Sequence, residues 1–199
     1  MRIGIMGGTF DPIHYGHLVT AEAAAEQFQL DTVLFVPAGQ PPHKHARKVT
    51  DPWRRYYLTE LAIQSNPRFC LSSIEIERSG MSYTIDTVRA LQESYGPDAD
   101  LYFITGADAL LEIMTWHRID ELIRSCYFIA AYRPGYDPEE LHRAIAEWQG
   151  RGGRFHLLEV PALAISSTDI RERRRQNRSI KYLLPEPVEQ AIIANGDYQ

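Results

Sequence analysis

Apolar positions along the chain fall into two alternating kinds of run. Short continuous stretches read as buried strands over residues 2–7, 32–37, 69–76, 101–105, 127–132 and 154–160. Between them, apolar residues recur at helical spacing. Residues 16–29 carry Leu18, Ala21, Ala25 and Phe28 on one stripe. Asp51-Pro52 opens the next helix, with Asp as N-cap and Pro at the first helical position. Further helices are predicted over 83–95 (closed by Gly96-Pro97), 107–123, 138–148, 167–176 and 187–194, the last stopped by Asn195-Gly196. A loop rich in Pro, His and Lys spans 38–50. This rhythm predicts an α/β fold: a doubly wound, Rossmann-like parallel sheet with helices on both faces and right-handed crossovers. No composition shift, repeat or low-complexity segment marks a boundary. Residues 1–199 therefore read as one domain, with 166–199 a short C-terminal helical extension packed on it.

Composition narrows the function classes. The chain has 199 residues, 44% of them hydrophobic and 24% charged. A chain of this length can bury roughly 70% of its unfolded surface and needs no metal or disulfide staple. Its 21 basic and 26 acidic residues give a net charge of -5, which argues against a nucleic-acid backbone as main partner. A local basic pocket for a phosphorylated small molecule remains compatible with that balance. Cys70 and Cys126 stand far apart in apolar runs and in no metal spacing, so both are expected to be buried free thiols. The longest apolar run, 126–132, has seven residues, against about 20 for a membrane span. The start, Met1-Arg2-Ile3-Gly4, carries no apolar leader. The expectation is a cytoplasmic protein without a membrane partner. The five arginines within 171–178 read mostly as a solvated helix face.

In an open parallel sheet, ligands bind beyond the carboxyl ends of the strands. Those positions here concentrate Gly, His, Lys and Arg: Gly7-Gly8-Thr9-Phe10-Asp11-Pro12, then 38–44, then Gly106-Ala107-Asp108, then Arg133-Pro134-Gly135. Gly7 and Gly8 permit a sharp turn close to a ligand, but neither the G-x-G-x-x-G nor the G-x-x-x-x-G-K-[ST] pattern is present. His14 and His17 follow at the mouth of a helix, whose free N–H groups and positive dipole end suit a polyphosphate. The same pair could cap the helix or form half a metal site. No third ligand follows at useful spacing, so no protein metal site is expected. In Ile165-Ser166-Ser167-Thr168-Asp169-Ile170-Arg171, Ser166 and Asp169 have capping-box spacing, and Ser167 and Arg171 share a helix face. Hydroxyls, free N–H groups and a guanidinium fork suit phosphate oxygens, although a plain helix cap would look the same.

The run from Gly7 to His17 resembles the signature of the nucleotidyltransferase superfamily with the HxGH motif. The resemblance implies that His14 and His17 contact nucleotide phosphates and help stabilise the transition state. Ile165–Arg171 resembles the superfamily's second signature, which implies contacts to the β- and γ-phosphates. Pro41-Pro42-His43-Lys44, Met81-Ser82-Tyr83-Thr84-Ile85-Asp86-Thr87, Gly106-Ala107-Asp108 and Trp116-His117-Arg118-Ile119-Asp120-Glu121-Leu122 are similar to bacterial-type nicotinate mononucleotide adenylyltransferases. That likeness implies ATP contacts from Gly7, Gly8, Thr9, Phe10, His14, His17, Gly106, Asp108, Ile165, Ser166, Ser167 and Arg171. It implies acceptor contacts from Lys44, Thr84, Trp116, His117 and Arg133, with Trp116 stacking on the nicotinate ring. A cationic ring over tryptophan gains about 0.5–2 kcal/mol. His117 stands where tyrosine is common in that family, so a contact through the backbone survives and one through a phenol does not.

The expected reaction is transfer of AMP from ATP to nicotinate mononucleotide, giving deamido-NAD and pyrophosphate. His14, His17 and Arg171 are the expected catalytic residues, and Mg²⁺ is expected to arrive with ATP. Family analogy implies a homo-oligomer. Two rivals stay open: another phosphate-ester acceptor such as phosphopantetheine, and a non-catalytic nucleotide-binding module on the same fold.

Overall fold

Alternate residues of a strand face opposite sides of a sheet, and here both sides are apolar. In the computed structural model, which describes residues 1–41, 49–135 and 138–199, six strands form one parallel sheet among the described residues. They are β1 (Arg2–Gly8), β2 (Thr32–Pro37), β3 (Phe69–Leu71), β4 (Asp100–Gly106), β5 (Tyr127–Tyr132) and β6 (Arg154–Glu159). Their order is β3-β2-β1-β4-β5-β6. Met6, Val33, Phe35, Ile104 and Ile129 point to one face, and Ile5, Leu34, Phe103, Phe128 and Ala130 to the other.

The first face is covered by α1 (Tyr15–Gln27), α2 (Pro52–Ile63), α8 (Ser167–Arg175) and α9 (Glu186–Asn195). The second is covered by α4 (Thr84–Tyr95), α5 (Ala107–Leu111), α6 (Ile119–Ser125) and α7 (Pro138–Gly150). The doubly wound sheet expected from the sequence is thus the observed one. Its strand order reverses between β1 and β4, and the crevice at that reversal is where such sheets bind ligands. Among the described residues, no helix is long and apolar enough to cross a membrane.

Three expectations need correction. The strand expected over 69–76 stops at Leu71, and α3 (Ile74–Glu77) follows. The alternating Ile-Glu-Ile-Glu pattern mimics a strand. Ser73 instead starts a helical turn, its carbonyl accepting from Ile76 (2.8 Å) and Glu77 (2.9 Å), and Glu75 is turned inward. The single helix expected over 107–123 is three pieces: α5, a 3₁₀ turn (Ile113–Thr115) and α6. The break has Trp116 extended and Arg118 left-handed (φ 54°). Cys70 is exposed rather than buried, because β3 is an edge strand whose Phe69 and Leu71 face the core. Cys126 is buried, and burial pushes its thiol up to about 12. On α8, Arg175 is exposed as expected, while Arg173 is half-buried and pairs with Asp169 at 2.7 Å.

The C-terminal part is pinned by a guanidinium fork. Arg54 on α2 donates to Asp197 Oδ2 through Nε (2.9 Å) and Nη2 (2.6 Å), and to the Ala191 carbonyl at 2.8 Å. Arg54→Met is expected to destabilise the fold by about 1.5–3 kcal/mol, the range for charge-assisted bonds. Arg175→Met, which breaks only an exposed pair with Glu172, should stay within about 0.5 kcal/mol. Urea unfolding of the two variants checks the contrast, and equal losses would contradict it.

Candidate active site

Side chains from distant elements hold the segment that joins β1 to α1. Arg55, fully buried on α2, donates to the carbonyls of Thr9 (2.6 Å), Thr50 (2.8 Å) and Ala38 (2.6 Å). Arg171 on α8, also buried, donates to the Asp11 carbonyl (2.5 Å) and to Thr168 Oγ1 (2.9 Å). The Ser167 hydroxyl donates to the Pro12 carbonyl at 2.8 Å. Burial is the main pull lowering the Arg55 pKa, opposed by Asp11, Tyr198, Asp51 and Glu75 around it.

The histidines sit at the start of α1. The His14 backbone N–H donates to His17 Nδ1 at 3.2 Å, so the His17 proton sits on Nε2. The two rings stack with centroids 3.8 Å apart, and Phe10 meets His17 edge-on at 5.1 Å. Gly16 is required by close approach: a Cβ there would lie 2.9 Å from the His14 ring. His14 is buried. Burial first, and then the Arg133 guanidinium, pull its pKa down to about 4, which keeps the ring neutral.

Two cavities flank the end of β1. The first, of about 510 Å³, is lined by Gly7, Gly8 and Thr9 together with Glu75, Ser82, Thr84, Trp116 and His117. Trp116 meets Phe103 edge-on at 5.7 Å, and the exposed His117 ring stacks on Tyr83 at 4.3 Å. The break between α5 and α6 is what turns these two residues to the cavity. The second cavity, of about 520 Å³, is lined by His14, His17, Gly106, Asp108, Arg133, Ile165, Ser166 and Ser167. The N-termini of α1 and α8 both border it, so two helix dipoles favour an anion there. The Ser166 side chain accepts from the Asp169 N–H at 3.1 Å, as the capping spacing predicted.

The expected site residues thus divide in a way the sequence did not reveal. Gly7, Gly8 and Thr9 line the first cavity, not the one holding the histidines. Arg133, expected with the acceptor, lines the histidine cavity instead. Phe10 is buried beneath His17 and lines neither cavity. Arg171 lines neither as well, and its guanidinium is engaged with the Asp11 carbonyl and Thr168. Lys44 lies outside the described residues. Sequence reasoning passed over Arg55 and Glu75. The only local hint was a charged residue on the inward stripe of a helix, which is rarely buried unless paired. Among the described residues, no group of three or more His, Cys, Asp or Glu could hold a metal ion.

The cytidylyltransferase-like family model matches residues 5–173. A relative from Moorella thermoacetica, named "Probable nicotinate-nucleotide adenylyltransferase", is 58% identical over 199 residues, covering 100% of this chain and 92% of the relative. A relative of the same name from Thermoanaerobacter sp. (strain X514) is 56% identical over 193 residues, covering 96% and 92%. The solved structure "Plasmodium falciparum nicotinic acid mononucleotide adenylyltransferase complexed with NaAD" superposes with a TM-score of 0.80 at 21% identity, covering 99% of this chain and 97% of that one. That likeness concerns the fold. The chain belongs to the cytidylyltransferase-like family.

Two outcomes are expected. The folded His14 pKa, about 4, lies below the unfolded value, so the unfolded state binds more protons between pH 6.5 and 4. The His14 contribution is intact above pH 6.5 and is lost as the pH falls toward 4, by up to about 3 kcal/mol. Urea unfolding from pH 7 to pH 4 should therefore fall less steeply in His14→Gln, and parallel profiles would contradict the assignment. Arg171→Lys cannot reproduce the two-pronged contact. It should lower kcat about tenfold or more while changing the calorimetric Kd for ATP less than threefold. A tenfold weaker Kd would instead put Arg171 on the triphosphate.

Proposed function

We propose that this chain, as a member of that family, transfers the adenylyl group of ATP to nicotinate mononucleotide, forming deamido-NAD (nicotinic acid adenine dinucleotide) and pyrophosphate. The observation that carries the reading is the pair of cavities flanking one strand end. One has an aromatic wall, and the other has two imidazoles, a guanidinium and two helix N-termini. Two substrates seated in them would bring an acceptor phosphate and a triphosphate together beside β1.

In this reading the acceptor ring lies against Trp116, with Thr84 and the Trp116-His117 backbone near its carboxylate. ATP occupies the second cavity, its triphosphate at the N-termini of α1 and α8. An acceptor phosphate oxygen attacks the α-phosphorus in line, and the bond to pyrophosphate breaks. No protein nucleophile is needed, so catalysis is positioning plus charge stabilisation. His17 Nε2–H donates to the α-phosphoryl oxygen as its charge grows. His14, held neutral, orients His17 through its backbone N–H and adds a second ring to the phosphate wall. Asp108, exposed at the rim of the same cavity, faces the adenosine. Mg²⁺ would arrive with ATP as part of that substrate and would offset the charge on its phosphates. The reaction belongs in the cytoplasm, where both substrates are soluble.

Pyrophosphate release with a panel of acceptors tests the reading. Nicotinate mononucleotide is expected to exceed nicotinamide mononucleotide by roughly 10²–10⁴ in kcat/KM, from a lost charge-assisted bond and an unsatisfied donor. Phosphopantetheine should be inert. Comparable values for the two mononucleotides would leave a dual-specificity enzyme, and ATP binding without turnover of any acceptor would leave a binding module. His17→Ala is expected to lower kcat by roughly 10²-fold, with a smaller effect on ATP affinity. A rise in KM alone would make His17 a ground-state binder.

A further inference from the structure

The loop leaving β2 forms one wall of the first cavity, and its polar groups are held from two directions. From α2, Arg55 donates to the carbonyls of Ala38 (2.6 Å) and Gly39 (3.4 Å). From the other side, Ser82 Oγ accepts the backbone N–H groups of Gly39 (2.9 Å) and Gln40 (3.1 Å), while the Ser82 N–H donates to the Gln40 carbonyl (2.9 Å). A hydroxyl oxygen that accepts two bonds must send its own hydrogen elsewhere. Glu75 on α3 borders the same cavity wall as Ser82, and interactions with the Thr87 and Ser82 hydroxyls oppose the effect of burial on its carboxyl group. The Thr87 hydroxyl, on α4, donates to Glu75 Oε1 at 2.6 Å, and Arg78 donates to Thr87 Oγ1 at 3.1 Å.

The packing is as tight as the bonding. A Cβ on Gly39 would lie 2.2 Å from the Glu75 carbonyl oxygen, so the loop presses directly on α3. Glu75 is only 8% exposed, yet its side chain borders the cavity. Burial pushes its carboxyl group up, and the Thr87 and Ser82 bonds, then Arg78 and Arg55, oppose that push. The Thr87 hydroxyl donates to Glu75 Oε1, so this oxygen serves as an acceptor.

We propose that Glu75 is a positioning residue for the acceptor: its carboxylate orients the Ser82 hydroxyl, which fixes Gly39-Gln40 against the Ser82-Tyr83-Thr84 start of α4. The clasp sets the separation of two walls of the acceptor cavity and touches nothing in the histidine cavity. It rests on the assignment of the first cavity to the acceptor. In Glu75→Gln, the amide N–H₂ would meet one of the two hydroxyl donors, and the clasp would loosen without a change in size.

Steady-state kinetics and amide hydrogen exchange of Glu75→Gln test this. The KM for nicotinate mononucleotide should rise about tenfold or more, with the KM for ATP within about twofold and kcat falling less than the acceptor KM rises. The Gly39 and Gln40 amides should exchange at least about tenfold faster, while the urea midpoint barely moves. Ser82→Ala should reproduce the pattern, and the double variant should be no worse than the worse single one. If Glu75→Gln does not fold, Ser82→Ala carries the same two readouts. Unchanged exchange at Gly39 and Gln40, an equal rise in both KM values, or additive single effects would overturn the clasp. An unmodified enzyme that releases no pyrophosphate with this acceptor would refute the functional reading instead, and amide exchange would still judge the clasp.

Discussion

Three carbonyl groups between β1 and α1 fix everything downstream of them. Thr9, Asp11 and Pro12 each offer a C=O that accepts from a side chain of a remote element: Arg55 of α2, Arg171 of α8 and Ser167 of α8. A buried carbonyl without a donor costs about 1–3 kcal/mol, and a buried guanidinium without acceptors costs more. Each group therefore removes the other's penalty, and neither is tolerable alone. The consequence is geometric. α2 and α8 cannot shift without dragging the segment that sets His14 and His17. Through the Arg55 contact to Ala38, the same clamp reaches the wall of the first cavity. Catalysis by positioning needs such a frame, because a displacement of about 1 Å can cost 10²-fold.

Around that frame the two cavities differ in electrical character. Among its described lining residues the first carries Glu75 and Glu112 and no Lys or Arg. The second carries Arg133, two histidines and two helix N-termini, against the single acid Asp108. A pyridinium ring suits the first and a triphosphate the second. If the acceptor sits there as proposed, an acid-over-amide preference would have to come mainly from backbone N–H groups near Thr84 and Trp116-His117. Backbone donors are oriented by the fold and carry no charge to be screened, so a substitution in one lining side chain should erode the preference only partly. His117 fits this division. Its ring stacks on Tyr83 at the edge of the same cavity, which in the proposed reading leaves its backbone to meet the acceptor.

What could be read from the sequence was whatever repeats at short range. The strands alternate faces, α1 follows its predicted stripe, α4 ends where Gly96-Pro97 predicted, Asp51 caps α2, and Ser166 caps α8. The errors fall where a distant partner decides. The strand expected over 69–76 ends in an apolar-acidic alternation, but Thr87 holds Glu75 inward and the chain turns into α3. The helical period runs on through 112–118, yet the chain breaks there and presents Trp116 to a cavity lined from β1 and β4. Arg171 shares a helix face with Ser167, as its spacing implies, but its contact to the carbonyl of Asp11, 160 residues away, is one that no spacing rule could supply. Arg55 left still less trace, since its partners at Thr9 and Ala38 are backbone atoms and carry no residue signature. Motifs therefore mark the residues that meet ligands better than those that hold the motifs in place. A buried arginine on an otherwise apolar helix stripe is the sequence trace of the second kind. Its presence implies that several carbonyls converge on it, and the natural place for such a convergence is where strand ends have just released their chains.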